Sequence, residues 1–425
     1  MKLLYTALFF LYLPLIIVRL LWRGLRAPAY WHRWSERFGK SSTPLKDHTI
    51  WIHAVSVGEV EACRPLVKYL QTAYPKHNLL ITTMTPTGSE RVKLLFSDSV
   101  LHCYLPYDLP FAVNRFLKYK KPVLGIIMET EIWPNLILTC KKKGIPLVLA
   151  NARLSDRSAK GYAYFPKFTK TVLNSLHFIA AQGQQDQNNF RNLGVDITDV
   201  HVIGNLKYEM TFPPSLFEQS KAMRVMWNTD RPVWVAASTH EGEEEIILEA
   251  VNLIHSKFPD LLLVLVPRHP ERFDRVATLT RRAGFKTLKR SEQKNCTSDT
   301  QVLIVDTMGE LPLFYAACDV AFVGGSLIPH GGHNLLEPAA LGRAIITGPH
   351  FFNFNDITKQ FINGNAAIEV NDIKTLSDSV SILLTNPKQR AKMGEMGLKL
   401  IASSQGASTR LAKLLKRYII VHDSK

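Results

Sequence analysis

Cysteine is scarce in this 425-residue sequence, and its five copies are scattered: Cys63, Cys103, Cys140, Cys296 and Cys318. None belongs to a Cys-x-x-Cys pair or to a cluster with histidine, and their number is odd. A disulfide framework or a structural zinc site is therefore not expected, and a reducing compartment fits better. Because no Asp-x-Asp pair follows a predicted strand convincingly, we expect no metal cofactor either.

Acidic residues are fewer than basic residues. The chain has 36 Asp and Glu against 52 Lys and Arg, a net charge of +16. This excess predicts attraction to nucleic acid, anionic lipid, or phosphorylated and carboxylated substrates. A base-reading module is missing and the aromatic residues follow core patterns, so no nucleic-acid partner is expected. With 46% hydrophobic residues and no repeat array, the chain can fold into two or three domains.

The N-terminus holds one long hydrophobic run. The run from Leu3 to Val18 is uncharged and apolar residues continue to Trp22, close to the roughly 20 residues that a membrane-spanning helix needs. Only Lys2 precedes it, whereas six basic residues lie within or after its end: Arg19, Arg23, Arg26, Arg33, Arg37 and Lys40. This bias predicts a cytoplasmic body and opposes a cleaved signal peptide. We expect residues 1–22 to anchor the protein, either across the membrane or along its surface.

Beyond residue 48, apolar strand-like runs alternate with helical patterns. The runs are Thr49–His53, Leu79–Thr83, Val123–Met128, Leu147–Ala150, Phe178–Ala181, Val233–Ala237, Leu261–Val266, Gln301–Asp306, Val320–Val323 and Ala344–Thr347. Such runs are typical of parallel sheets covered on both faces by helices. Two series of about five strands predict two doubly wound α/β domains, residues 23–206 and 233–425, joined by a linker over 207–232. Ligands would bind in a cleft at the carboxyl ends of the strands.

The first predicted strand leads into a motif with two interpretations. Ser56 and Glu59 have the spacing of a capping box, in which Glu59 only caps the next helix. Alternatively, a carboxylate at this strand end could take a proton from an attacking hydroxyl. His53, at the strand end, either contacts a bound ligand or is a core histidine, and its position favours the second interpretation.

Further charged side chains follow other predicted strands of the first domain. Glu129 and Glu131 come after the strand that ends at Met128, and Lys207 follows a strand-like run at the domain junction. Each has an ordinary interpretation as a polar loop residue. Arg64 and Arg153 are further candidates for contact with an anion.

The second domain carries three strand-end segments that suit a nucleotide. Gly331-Gly332-His333-Asn334 precedes a predicted helix over Leu335–Leu341, where backbone N–H groups attract phosphate. Asn334 is a plausible N-cap, and Glu337 could accept hydrogen bonds from ribose hydroxyls. Arg268 follows another strand and can hold phosphate. A third strand end has Met308 to Glu310, whose backbone can read a base edge, and Ser238-Thr239-His240 forms one more strand-end turn.

The ordered set of motifs resembles the Kdo (3-deoxy-D-manno-oct-2-ulosonic acid) transferases of lipopolysaccharide synthesis. The motifs are His53-Ala54-Val55-Ser56-Val57-Gly58-Glu59, Glu129-Thr130-Glu131-Ile132-Trp133-Pro134-Asn135, Asn151-Ala152-Arg153-Leu154-Ser155, Gly204-Asn205-Leu206-Lys207, Val266-Pro267-Arg268-His269-Pro270-Glu271-Arg272 and Gly331-Gly332-His333-Asn334-Leu335-Leu336-Glu337-Pro338. The resemblance covers essentially the whole chain, including the N-terminal anchor and its basic flank. It implies a GT-B glycosyltransferase fold.

The resemblance also implies roles for individual residues. Glu59 would be the general base of an inverting transfer, Glu129 would stabilise positive charge on the reacting carbon, and Lys207 would contact the transition state. The segments implied to bind cytidine monophosphate (CMP) are Pro267, Arg268, Met308, Gly309, Glu310, Asn334, Leu335, Leu336 and Glu337. No metal cofactor is implied.

The implied substrates are CMP-Kdo and the lipid A precursor lipid IVA, and the implied location is the cytoplasmic face of the inner membrane of a Gram-negative bacterium, in contact with anionic lipid. The alternatives are a transferase of the same fold that uses another nucleotide sugar, and a nucleotide-sugar epimerase. The number of Kdo residues added and the oligomeric state stay open.

Overall fold

The computed structural model describes residues 1–40 and 48–423 and divides into two compact units. Unit 1 comprises Met1–Glu209 together with the C-terminal segment that begins at Ser404, and unit 2 comprises Met210–Ser403. Each unit contains one seven-stranded sheet in which every pair of neighbouring strands is parallel. The predicted α/β class with two doubly wound domains is therefore confirmed.

The strands of unit 1 are β1 (Thr49–His53), β2 (Asn78–Thr83), β3 (Leu101–Tyr104), β4 (Pro122–Met128), β5 (Leu147–Ala152), β6 (Phe178–Ala181) and β7 (Val200–Val202). Its helices up to the domain junction are α1 (Lys2–Arg26), α2 (Trp34–Arg37), α3 (Val57–Ala62), α4 (Arg64–Ala73), α5 (Pro86–Phe96), α6 (Pro110–Lys120), α7 (Pro134–Lys142), α8 (Asp156–Ala163), α9 (Pro166–Leu173) and α10 (Gln184–Asn192). The strand order β3-β2-β1-β4-β5-β6-β7 reverses direction between β1 and β4. That reversal is the switch point at which open α/β sheets bind ligands.

The strands of unit 2 are β8 (Val233–Thr239), β9 (Leu262–Pro267), β10 (Thr287–Lys289), β11 (Val302–Ile304), β12 (Val320–Val323), β13 (Ala344–Thr347) and β14 (Ala367–Glu369). Its helices are α11 (Pro214–Met226), α12 (Glu243–His255), α13 (Phe273–Arg282), α14 (Leu311–Ala317), α15 (Leu336–Ala340), α16 (Asn355–Asn363), α17 (Ile373–Thr385) and α18 (Pro387–Ser404). The order β10-β11-β9-β8-β12-β13-β14 places the switch point of this sheet between β8 and β12.

The predicted linker over 207–232 is wrong for most of its length. Helix α11 occupies its middle, and Met223 and Trp227 at the end of that helix are buried in the core of unit 2. The Trp227 ring lies over Phe314, with ring centroids 6.3 Å apart. Burial of these large apolar side chains makes the segment part of the folded unit from Met210 onward.

The predicted end of the second domain is also wrong, because the last helix, α19 (Ala407–Asp423), packs on unit 1. Its residues at helical spacing are fully buried in the unit 1 core: Ala407, Leu411, Leu415 and Ile419. Arg410 adds a hydrogen bond, with its Nε donating to the carbonyl of Ile203 at 2.7 Å. The apolar stripe alone predicts a buried face without saying which unit covers it.

Helix α1 extends past the predicted anchor, to Arg26, and contains Pro14. By length and composition Lys2–Leu25 could cross a membrane. One stripe of the helix nevertheless lies against unit 1. The Tyr5 hydroxyl donates to Asp108 at 3.0 Å, and Phe9, Leu13 and Ile16 pack beside the buried residues Tyr107, Leu109 and Ala112.

Candidate active site

In unit 1, the candidate catalytic residues lie at the carboxyl end of the sheet. Glu59 is in α3, directly after β1, and Glu129 follows β4, the neighbouring strand across the switch point. Lys207 lies in a short 3-10 helix, Leu206–Tyr208, which follows β7 and contacts α3. The chain order alone places these three residues far apart, and the parallel topology brings them to one edge.

Glu59 is held in a nearly closed environment. Its carboxylate accepts hydrogen bonds from the backbone N–H of Val55 at 2.8 Å and from the hydroxyl of Ser56 at 3.0 Å. Only 8% of the residue is exposed, and this burial raises the pKa of Glu59 to about 7, with a smaller contribution from the charge of Glu129. Ser56 makes no side-chain cap of α3. The contacts therefore brace the turn but differ from a capping box, and they leave a carboxyl that titrates near neutral pH.

Glu129 and Lys207 form an ion pair in which Lys207 Nζ lies 2.7 Å from Glu129 Oε1. The backbone of Glu129 is in the left-handed region, with φ of 55°, a conformation that costs a non-glycine residue free energy and that recurs at functional sites. Glu131 lies in the same acidic group, and burial raises its pKa as well. Unit 1 thus pairs Lys207 with Glu129, and the charges of Glu129 and Glu131 both act on Glu59.

Asn151 is a site residue that the sequence analysis did not single out. It is fully buried at β5, has φ of 54°, and its side-chain oxygen accepts the backbone N–H of Leu206 at 2.9 Å. This bond fixes the 3-10 helix that carries Lys207. The sequence does contain a signal for it, because Asn151 is a small polar residue at the end of an apolar strand run. Within that motif, the sequence analysis considered only Arg153 as a contact.

The structure also shows the surroundings of three other unit 1 residues that the sequence analysis considered as ligand contacts. His53 is a core histidine: it is fully buried, its Nδ1 lies 2.9 Å from the Thr82 hydroxyl, and burial lowers its pKa to about 4. Arg64 and Arg153 are exposed, and their contact with an anion stays a prediction.

Arg37, one of the basic residues that follow the N-terminal apolar run, is buried in unit 1. The residue is only 2% exposed, its guanidinium lies 4.3 Å from the ring centroid of Tyr104, and it donates to the carbonyl of Met84. Arg33 is partly exposed, pairs with Glu36 at 2.9 Å and also lies over Tyr104. These arginines stabilise the fold of unit 1 through cation–π and carbonyl contacts.

In unit 2, the predicted nucleotide-binding segments follow neighbouring parallel strands. Pro267 ends β9, and the exposed Arg268 comes next, with its backbone N–H donating to Thr239 at 3.0 Å. Met308, Gly309 and Glu310 come after β11, the strand beside β9. Both segments therefore lie at the same edge of the sheet.

The segment after β11 presents an exposed apolar side chain and backbone groups. Met308 is 66% exposed, and Gly309 has φ of 87°. The carboxylate of Glu310 pairs with Arg290 through two hydrogen bonds of 2.9 and 3.2 Å. This pair lowers the pKa of Glu310 and fixes the end of the turn.

The glycine-rich turn leads into a shorter helix than predicted. Helix α15 has five residues instead of the expected seven, and Asn334 accepts the N–H of Leu336 at 3.1 Å, which occupies one donor of the helix start. Leu335 and Leu336 are fully buried, whereas Glu337 is partly exposed in the first turn of the helix. The side chains of the two leucines therefore pack in the interior of unit 2 and hold the turn against it.

Glu243 holds the loop at the switch point of unit 2, a role that the sequence analysis did not predict. Its fully buried carboxylate accepts the backbone N–H groups of Gly325, Ser326 and Leu327 at 2.7 to 3.1 Å. These bonds, made from α12, hold the loop after β12. Three consecutive glutamates at a helix start are typical of an ordinary favourable interaction with the helix dipole, so the sequence gives no signal for this role.

Two Rossmann-like units, each built on a parallel sheet with its own switch point, are the architecture of the GT-B fold. The family model described as 3-Deoxy-D-manno-octulosonic-acid transferase (kdotransferase) matches residues 32–210, and that of Glycosyl transferases group 1 matches residues 230–400. In the solved structures, a UDP-GlcNAc 2-epimerase from Neisseria meningitidis is similar with a TM-score of 0.58. It is 15% identical and covers 87% of this chain and 100% of its own, which shows the shared fold alone.

Two full-length relatives define the family. The chain is 44% identical to the 3-deoxy-D-manno-octulosonic acid transferase of Haemophilus influenzae, over 98% of each chain. It is 34% identical to the enzyme of the same name from Bordetella pertussis, over 96% of each chain. The chain belongs to the 3-deoxy-D-manno-octulosonic acid (Kdo) transferases, and its activity is glycosyl transfer of Kdo in lipopolysaccharide synthesis.

Proposed function

We propose that this protein transfers Kdo from CMP-Kdo to the lipid A precursor lipid IVA by a single inverting displacement. A hydroxyl oxygen of the acceptor attacks the anomeric carbon of Kdo, the bond from that carbon to the phosphate oxygen breaks, and CMP leaves. The hydroxyl proton passes to Glu59. The observation that carries this proposal is the buried carboxyl of Glu59, with a pKa of about 7, at the first switch point.

The environment of Glu59 suits a base. A general base works best when its pKa is close to the working pH, because it is then both ionised and able to hold a proton. The two hydrogen bonds from Val55 and Ser56 orient the carboxylate while burial keeps its proton affinity high. A solvent-exposed glutamate would be ionised but a weaker base.

Lys207 and Glu129 supply the charges that the displacement needs. Positive charge develops on the anomeric carbon and negative charge on the leaving phosphate. We assign the carboxylate of Glu129 to the first and the ammonium of Lys207 to the second. Their ion pair, 2.7 Å long, holds both charges in place before substrate arrives, so little reorganisation is required during the reaction.

Unit 2 is proposed to bind the CMP portion of the donor. Arg268 would pair with the phosphate, the exposed side chain of Met308 would pack on the base, and Glu337 would accept from the ribose hydroxyls. We also propose that no metal ion takes part, because Arg268 and Lys207 provide the positive charge. Activity is then expected to survive chelation by EDTA.

The protein is proposed to work at the cytoplasmic face of the inner membrane of a Gram-negative bacterium, on anionic lipid. The outward side of α1 exposes large apolar residues, among them Leu3 at 85%, Leu11 at 71% and Leu25 at 70%. Arg19 and Arg23 on the same helix are exposed and would meet anionic headgroups. Such a face suits a lipid bilayer better than water.

We further propose that α1 lies along the membrane surface. The bond from Tyr5 to Asp108 ties the start of the helix to the body of unit 1, and Leu20, about 22 Å further along at 1.5 Å per residue, is buried too. A helix that crossed the bilayer would carry Tyr5 away from the body. A protease-sensitive tag fused before Met1 should therefore stay protected in intact spheroplasts, and digestion from outside would contradict this arrangement.

A donor panel tests the proposed function. Purified protein is given lipid IVA with CMP-Kdo, CMP-sialic acid or UDP-GlcNAc, and products are followed by mass spectrometry. Transfer from CMP-Kdo alone is expected. Transfer only from UDP-GlcNAc would favour a different donor for this fold, and conversion of UDP-GlcNAc without an acceptor would favour an epimerase.

A further inference from the structure

Four histidines gather at the switch point of unit 2, and none of them has a role in the function proposed above. We call them the imidazole cluster: His240, His269, His330 and His333. His240 follows β8, His269 follows β9, and the other two lie in the loop after β12. Open α/β sheets bind their ligands at this place, between the strand ends on either side of the reversal.

The rings are in direct contact. The Nε2 atoms of His240 and His333 are 2.9 Å apart and share a hydrogen bond. His330 stacks on His240 with centroids 4.3 Å apart and an angle of 13° between the planes, and His269 meets His240 edge-on at 5.4 Å. His240 and His333 are partly buried, whereas His269 and His330 are exposed, so the cluster opens to solvent.

The backbone is shaped to admit the rings. Gly325 has φ of 67°, and a Cβ there would lie 3.0 Å from the His333 ring and 3.3 Å from the His240 ring. A side chain at this position would therefore be strained and would crowd both imidazoles. Glu243 holds the Gly325 loop in this position through the N–H bonds described above.

The electrostatics of the cluster favour an anion. Burial and neighbouring positive groups, including Arg268, lower the pKa of His240 to about 4 and of His333 to about 3. Both rings are therefore neutral at pH 7 in the free protein. An oxyanion against them would favour the protonated form, and the shared proton would leave both Nδ1 atoms able to donate.

A metal ion fits this arrangement poorly. Metal ligands point their nitrogen atoms at one common centre about 2 Å away. Here the Nε2 atoms of His240 and His333 bind each other, and the ring of His330 is stacked on that of His240. Among the described residues, no three His, Cys, Asp or Glu side chains converge as metal ligands would. The neighbouring cation Arg268 would also repel a metal.

We propose that the imidazole cluster, together with Arg268, is a subsite for an oxyanion of the sugar-nucleotide donor. That oxyanion is the phosphate or the carboxylate of the acidic sugar, and both are present in the donor proposed above, on which this inference rests. The neutral rings take up a proton as the anion binds, so the site gains positive charge when the donor supplies negative charge.

The test uses the full-length protein with His240→Asn, His333→Asn and His330→Asn. The His330 change is on an exposed residue and keeps the test valid if the partly buried positions disturb folding. His255→Asn, at the end of α12, is the matched imidazole-to-amide control in the same unit. Binding of CMP and of cytidine is measured by calorimetry in two buffers that differ in ionisation enthalpy, and the KM for CMP-Kdo is measured separately.

If the subsite holds phosphate, CMP affinity falls at least about tenfold in the cluster variants, cytidine binding does not change, and proton uptake on CMP binding disappears. If it holds the sugar carboxylate, CMP binding is unchanged while the KM for CMP-Kdo rises at least about tenfold. The proposal is overturned if neither quantity changes, or if CMP binding is lost on chelation and restored by Zn²⁺. A wild-type protein that transfers no Kdo would refute the proposed function, whereas weaker CMP binding by the variants would still establish a phosphate subsite.

Discussion

Replacement of Glu59 by glutamine removes the proposed base while it keeps the shape of the side chain. An amide cannot accept a proton at neutral pH, so we expect kcat to fall by at least about 100-fold. With a pKa of about 7, Glu59 is half ionised at pH 7, and each pH unit below that lowers the ionised fraction about tenfold. The wild-type kcat/KM should therefore rise with pH and level off above about pH 8, and this dependence should vanish in the variant.

The same carboxyl makes a prediction about stability. Burial raises its pKa from 4.5 to about 7 in the folded state, which corresponds to roughly 3 kcal/mol. Between these pH values the folded protein holds a proton that the unfolded chain has released, so stability falls as pH rises through this window. The change in the free energy of unfolding caused by Glu59→Gln should thus be more stabilising at pH 8 than at pH 4, by up to about 3 kcal/mol. The hydrogen bond from Val55 lowers the pKa of Glu59, and its effect on the ionised carboxyl is already contained in the value of about 7.

The assay combines CMP release kinetics from pH 5.5 to 9 with urea unfolding at pH 4 and 8. Glu61→Gln is the matched control, since Glu61 lies on the same helix, is partly exposed and pairs with Arg91. The control should keep the wild-type kcat and pH profile. The reasoning is refuted if Glu59→Gln keeps kcat within threefold of wild type or shows the same pH profile.

Three further predictions address other parts of the account. Lys207→Met should lower kcat about 100-fold, because the ammonium that neutralises the leaving phosphate is lost; an unchanged kcat would contradict this. Asn151→Gly tolerates the positive φ but releases the 3-10 helix that carries Lys207, so kcat should fall in the same direction as in Lys207→Met, and a wild-type kcat would show that Asn151 does not position Lys207. Leu415→Ala should lower the free energy of unfolding of unit 1 by about 2–5 kcal/mol in urea titrations, and a cost under about 1 kcal/mol would mean that α19 does not belong to that core.

Much of the fold was predictable because central parallel strands are buried on both faces. All five residues of β1 are buried, and such continuous apolar runs stand out in a sequence. The sheets were nevertheless predicted with five strands instead of seven. The four strands outside the two predicted series are the edge strands β3, β7, β10 and β14. They are short and each has residues that are not fully buried, so their sequences lack a long continuous apolar run.

The site residues were predictable where a charged residue follows a predicted strand. Contacts between residues that are distant in sequence were not predictable, because they depend on the tertiary structure. Glu59, Glu129 and Lys207 were selected from the motifs, but the ion pair between the last two depends on how distant strands line up. The burial of Arg37 could not be predicted because arginine is rarely buried, and here the ring of Tyr104 and a backbone carbonyl replace water. The imidazole cluster could not be predicted, because its members come from three separate strand ends.

The most direct test of the central claim, a single displacement of CMP by the lipid acceptor, is the anomeric configuration of the product. Purified protein would be incubated with CMP-Kdo and lipid IVA in detergent, and the isolated lipid and released CMP would be measured by NMR. The account predicts one CMP released per Kdo bound to the lipid, with the configuration at the anomeric carbon opposite to that of the donor. Retained configuration, or release of CMP without formation of Kdo-lipid, would contradict it.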